Sequence, residues 1–149
     1  MRIGNVKLQL ICAALAMGVL SSHAFARDSV ANYSIESALR SEGGKVDREI
    51  PLYFAGQNHP GVVKSSGEFA TNKKTNAFGK SDEAACQHVF LSAVLELQER
   101  ARKEGGNAVI NIRSNYRNVE RESATEFTCG AGAMVAGVAL KGEVVTLRK

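Results

Sequence analysis

The apolar positions of this chain obey a different rule in each of three regions. The first is an apolar run from Leu8 to Leu20, preceded by Arg2 and Lys7 and followed by Ala24-Phe25-Ala26. A basic head, an apolar core shorter than the ~20 residues of a bilayer span and a small-x-small exit predict a secretory leader. It comprises Met1 to Ala26, with cleavage between Ala26 and Arg27 and the periplasm as the expected destination. Cys12 lies inside the run behind the bulky Ile11, and Arg27 rather than a cysteine stands directly after the exit, so a lipid anchor is not expected.

Helical and alternating patterns share the rest. Asn32 to Ser41 places Ile35, Ala38 and Leu39 at helical spacing behind Ser34, predicting a short helix stopped by Gly43-Gly44. Glu49 to Ala55 reads as a strand with Pro51 at its start. The Gly56 to Gly61 turn then suggests a hairpin with a second strand, Val62 to Thr71, and Asn72 to Lys80 reads as a polar loop. Ser81-Asp82-Glu83 is the best helix start in the chain, a capping serine with two carboxylates in the first turn. From Asp82 to Glu104, Cys86, Phe90, Ala93, Leu97 and Ala101 recur on one stripe, widened by Val89 and Val94, until Gly105-Gly106 ends it.

Period-two patterns dominate after that. Ala108 to Ser114 predicts a strand with Ile110 and Ile112 on one face and Asn111 and Arg113 on the other. A charged loop, Asn115 to Ser123, leads to a strand in which Thr125, Phe127 and Cys129 share the inner face. Gly130 to Leu140 carries no charge and both its alternate faces are apolar or small. A central strand covered on both sides accounts for this, and so does an intersubunit strand supporting a homo-oligomer. Lys141-Gly142 is expected to turn the chain into a closing strand, Glu143 to Leu147. The expected fold is α+β: one long amphipathic helix on a mostly antiparallel sheet of about five to six strands, with a short N-terminal helix.

Composition sharpens only part of this. Of 149 residues, 123 remain once the 26 of the leader are removed, enough for a single domain, 27–149. Losing Arg2 and Lys7 takes Lys plus Arg from 19 to 17 against 15 acids, so a net charge of +4 becomes +2 and argues for no nucleic-acid partner. Cys12 leaves with the leader, and Cys86 and Cys129 remain as an even pair in an oxidising compartment. Cys86 sits on the helical stripe and Cys129 beside Phe127, which predicts a disulfide between them.

Candidate chemistry is sparse. Gly79-Lys80-Ser81 resembles the tail of a P-loop, but the motif needs a glycine where Lys74 stands, so helix capping is the reading and no nucleotide is expected. Lys64, Lys73, Lys74 and Lys80 could form an anion-binding surface for a lipid headgroup, lipopolysaccharide or glycan acid, against the plainer reading of solvated lysines. Cys86, Cys129 and His59 form the alternative of a metal-binding or thiol-redox protein, which would need reduced thiols. Two residues apart on a helix, Cys86 and His88 diverge by about 200°. A small hydrolase would need convergent acids or histidines, and neither a G-x-S-x-G elbow nor HExxH occurs. No catalytic, cofactor-binding or metal residue is nominated, and a non-enzymatic role is expected.

Gly67-Glu68-Phe69, Thr71 to Asn76, Ser81 to Cys86, Gly105 to Val109 and Cys129 to Ala133 together resemble a family of small exported bacterial proteins named "excinuclease ATPase subunit". The ATP chemistry in that name has no residues here to carry it: the P-loop and the zinc cysteines of a DNA-repair ATPase are missing. The long helix, the Gly-Gly-Asn-Ala-Val turn and the late Gly-Ala-rich strand are similar to the YbjQ-like domain and to the envelope-stress sensor lipoprotein of the Rcs pathway. That resemblance implies a compact α+β domain that works by binding or assembly, in the sensor with disulfides. This chain departs from the sensor in having no lipobox and half of its four cysteines. The expectation is a non-enzymatic periplasmic domain that binds an envelope protein or an anionic envelope component, with no cofactor.

Overall fold

The computed structural model describes residues 28–42 and 45–149. The expected leader and cleavage site, Ala24, Ala26 and Arg27 included, and the Gly43-Gly44 helix stop lie outside them. The architecture is α+β, two helices and a seven-stranded mixed sheet.

The sheet is organised around β7 (Val135–Leu147). Along one edge β3 (Val62–Asn76) runs antiparallel to its whole length. The other edge is shared: β6 (Glu126–Gly132) pairs at Ala136 and Gly137, and β4 (Ala108–Tyr116) takes over from Leu140 to Val145. Outside these lie β1 (Asp28–Ser34) on β6, β2 (Leu52–Phe54) parallel to β4, and β5 (Val119–Arg121) folded back on β4. The sheet therefore forks and curls, with α2 (Asp82–Lys103) over one face and α1 (Ile35–Ser41) packed beside it.

Local chemistry sets both ends of α2. The Ser81 hydroxyl accepts from the Ala84 amide at 3.1 Å, so the P-loop-like tripeptide is a helix cap. At the other end Gly105, at φ +73°, lets the Gly105 and Gly106 amides return to the Arg102 and Ala101 carbonyls, a Schellman ending. The stripe of Cys86, Phe90, Ala93, Leu97 and Ala101 is buried, and burial extends to Leu91 and Gln98, a broader arc than the stripe alone. Phe90 stacks on Phe127 with ring centroids 4.1 Å apart and on Phe54 at 5.9 Å. Each such ring taken from water contributes roughly 1.5–3 kcal/mol. The Cys86–Cys129 disulfide joins α2 to β6 in this layer, with Cα atoms 5.9 Å apart.

Several expectations are corrected. No hairpin joins the Glu49–Ala55 and Val62–Thr71 segments: only Leu52–Phe54 is a strand and it pairs with β4, while β3 pairs with β7 and continues to Asn76 through half of the expected loop. Asn32 to Ser34 belong to β1, so the first helix starts at Ile35 with Ser34 as its cap. Ile110 and Ile112 lie on opposite faces, because Asn111 at φ +49° occupies a bulge that shifts the register between Ile110 and Arg113. The expected charged loop contains the β4–β5 turn and β5. Gly130 to Leu140 is the β6–β7 hairpin, and both edges of β7 are paired within the chain, leaving no unpaired edge there for an intersubunit strand. Lys141-Gly142 is strand, not turn: a β-carbon on Gly142 would lie 2.7 Å from the Val109 side chain, so glycine here admits close packing.

Candidate functional site, a trough on the helix-free face

Alternation along β3 sends its residues to two different environments. Phe69, Thr71 and Lys73 turn toward α2, where Arg100 lies 4.8 Å above the Phe69 ring and Lys73 pairs with Glu96. Ala70, Asn72 and Lys74 turn the other way, opposite Lys141, Ala139 and Gly137 of β7. No described helix covers that second face.

The floor there is made of Gly130, Gly132, Gly137 and Ala139, residues with almost no side chain. Above it stands the β4–β5 turn. Arg117 and Asn118 both have positive φ, +54° and +61°, and form the two-residue loop between the paired Tyr116 and Val119, while the Asn118 amide donates to the Asn115 carbonyl at 3.2 Å. That turn swings Tyr116 over Gly130 so closely that a β-carbon there would meet its hydroxyl at 1.8 Å. Arg117 lies 5.3 Å from the Tyr116 ring centre and donates to Asp28 of β1 at 2.9 Å. The Asp28 hydrogen bond, with the charges of Tyr116 and Asp28, holds the Arg117 guanidinium above its ordinary range.

This ridge divides the face into connected hollows. One of about 560 Å³ lies between the ridge, Lys74 and the exposed Met134 and Val135. A second of about 260 Å³ continues it past Asn72, Arg117 and Ala139 to Asn115 and Asn118. A third of about 370 Å³ lies across the ridge, against Val30, Asn32, Val119 and Thr128. The side chains of Asn72, Lys74, Asn115 and Asn118 make no hydrogen bond or ion pair with the described residues.

An ion cluster holds the hairpin in place. Arg113, with only 8% of its side chain exposed, donates to Glu120 at 3.0 Å and to Glu68 at 2.6 Å, and Lys141 donates to Glu120 at 2.6 Å. The Arg113 hydrogen bond, then that from Lys141, lowers the Glu120 carboxyl to about 2. The same contacts raise Arg113, Glu120 contributing most. Three strands and the β5 return are thereby fastened around the trough.

The structure does not gather the four lysines of the expected anion-binding surface. Lys73 and Lys74 face opposite sides of β3, Lys64 stands about 33 Å along the strand from Lys74, and Lys80 belongs to the turn before α2. Only Lys74 enters the trough. Cys86 and Cys129 are bonded to each other and fully buried, so neither sulfur has a free thiolate for a metal or for exchange. His59 packs edge-on to Tyr53 and His88 pairs with Glu42, and neither adjoins the sulfurs. Among the described residues no three His, Cys, Asp or Glu side chains are grouped to hold a metal.

Sequence reasoning missed Asn72, Asn115, Tyr116, Arg117 and Asn118 as site residues. The available signal was the cluster of small residues Gly130, Gly132 and Gly137, which denotes a surface approached closely by something else. No protein-family model matches the chain, and no match is found among curated proteins.

Proposed function

We propose that this chain is an exported, non-enzymatic binding domain of the bacterial envelope whose recognition surface is the helix-free face of the sheet. The carrying observation is the trough itself: a shaped concavity with a smooth floor, rimmed by polar side chains of which Asn72 and Lys74 have no partner among the described residues. Polar groups converging on a concave surface are what a binding site requires. The two helices and the Cys86–Cys129 disulfide serve as the scaffold on the opposite side. The disulfide fits an oxidising compartment, and the leader-like segment ahead of Asp28 fits export. Among the described residues no helix is long and apolar enough to cross a membrane.

Comparing capture of envelope components by tagged, exported protein tests this reading. Asn72→Ala combined with Arg117→Gly should reduce capture, whereas Glu83→Ala combined with Glu99→Ala on the exposed side of α2 should not. Equal loss from both pairs, or loss from the α2 pair alone, contradicts it.

A further inference from the structure

The geometry points to an acidic saccharide chain as the ligand of the trough, an inference that rests on the reading of that face as the recognition surface. The floor excludes an added peptide strand, because β3, β7 and β6 are already in register with one another across it: Lys74 opposite Gly137, Gly137 opposite Gly130. Recognition from above must therefore use side chains and the flat carbon surface of Gly130, Gly132, Gly137 and Ala139. A level apolar floor suits the C–H face of a sugar ring.

The rim supplies the complementary polarity. Asn72, Asn115 and Asn118 each offer a paired donor and an acceptor that nothing in the described protein uses, the pattern that matches neighbouring hydroxyls and N-acetyl groups. Lys74 has no counterion among the described residues, while Arg117 is already held by Asp28. One cation in the hollow it shares with Asn72, with Asn115 and Asn118 lining the adjoining hollow, matches a carboxylate carried on a sugar; it is too little charge for a nucleic acid, whose binding rests on several phosphate contacts. Two hollows joined at Asn72 and Arg117 make a groove for consecutive sugar units.

Calorimetry and NMR on the exported, oxidised protein test this with three probes: N-acetylglucosaminyl-N-acetylmuramic acid, a trigalacturonate and neutral chitotriose. Expected are saturable binding of the carboxylated probes, shifts confined to the Asn72, Asn115 and Asn118 side chains and their neighbours, and affinity for chitotriose about tenfold weaker. Preference for the muramyl over the uronic probe identifies cell-wall rather than capsular glycan as the source. Lys74→Met should remove the carboxylate preference and Asn72→Ala should weaken all probes alike, both with unchanged melting temperature. Absence of saturable binding at millimolar carboxylated saccharide overturns the inference, as does indifference to Lys74→Met. Binding to anionic phospholipid vesicles that the saccharides do not compete for, and that Lys74→Met abolishes, overturns it in favour of a lipid surface. If saccharides fail while Asn72→Ala with Arg117→Gly still loses envelope capture, the saccharide falls and the recognition face stands.

Discussion

Tyr116 covers Gly130 with no room for a side chain between them, the position of a β-carbon on Gly130 lying 1.8 Å from the tyrosine hydroxyl and 2.2 Å from the ring carbon that bears it. This contact fixes the β4–β5 hairpin against the β6–β7 hairpin and so gives the trough its wall. Gly130→Ala should displace the tyrosine and destabilise the protein by about 1–3 kcal/mol, the usual cost of overpacking. In a Tyr116→Ala background the same change should cost almost nothing. Thermal melts of the four proteins in that cycle measure the coupling, and additive effects would place the clash elsewhere.

The disulfide closes a loop with a sequence separation of 43. In the chain-entropy account, such a crosslink stabilises by up to ~4 kcal/mol, a large share of the total for a domain of this size. Cys129→Ser, or reduction, should lower the melting temperature markedly. Mass spectrometry of exported protein alkylated without reduction should find neither Cys86 nor Cys129 modified; two alkylated cysteines would restore the metal and thiol-redox readings.

Gln98 is fully buried in α2 and serves the 45–51 loop alone. Its amide nitrogen donates to the Asp47 and Ile50 carbonyls at 2.8 and 2.7 Å, and its oxygen accepts from the Asp47 amide at 3.1 Å. Gln98→Leu leaves those backbone groups without partners, at roughly 1–3 kcal/mol for each that stays buried. Hydrogen exchange should accelerate across Asp47 to Leu52 well before β7 is affected. Uniform acceleration across the domain would contradict a local tether.

Acid should loosen the ion cluster before the core. Glu120 has its carboxyl lowered from 4.5 to about 2 by Arg113 and Lys141. A lowered carboxyl contributes stability fully above its ordinary value, and that contribution is lost as pH falls through the folded one. The Glu120 share should thus disappear between about pH 4.5 and pH 2. Melting temperatures across that window should fall less steeply for Glu120→Gln than for the parent, and parallel slopes would remove Glu120 from the account.

How much of this was legible depended on how locally each feature is determined. Helix α2 could be read because Ser81, the buried stripe and Gly105-Gly106 specify it within its own residues. Strand β1 could not: Asp28 to Ser34 alternates only weakly in polarity and becomes a strand by pairing with β6, about a hundred residues away. Leu52–Phe54 suggested a hairpin with its neighbour in sequence, yet its partner is β4, reached only after α2. Gly142 reads as a turn in the sequence because a glycine records that space is short without saying what fills it, here Val109. The trough combines Asn72 and Lys74 from β3 with Arg117 and Gly130 from other strands, and only the fold brings them together.

The proposed recognition surface is the helix-free face of the sheet and not the helical one. Photoreactive residues placed singly at Asn72, Lys74 and Asn118, and at the exposed Glu83, Glu99 and Lys103 of α2, measure this in the exported protein under native conditions. Crosslinks to an envelope component concentrated at the first three positions are the predicted result. Equal yields from both sets, or yields confined to α2, would contradict the assignment of that face.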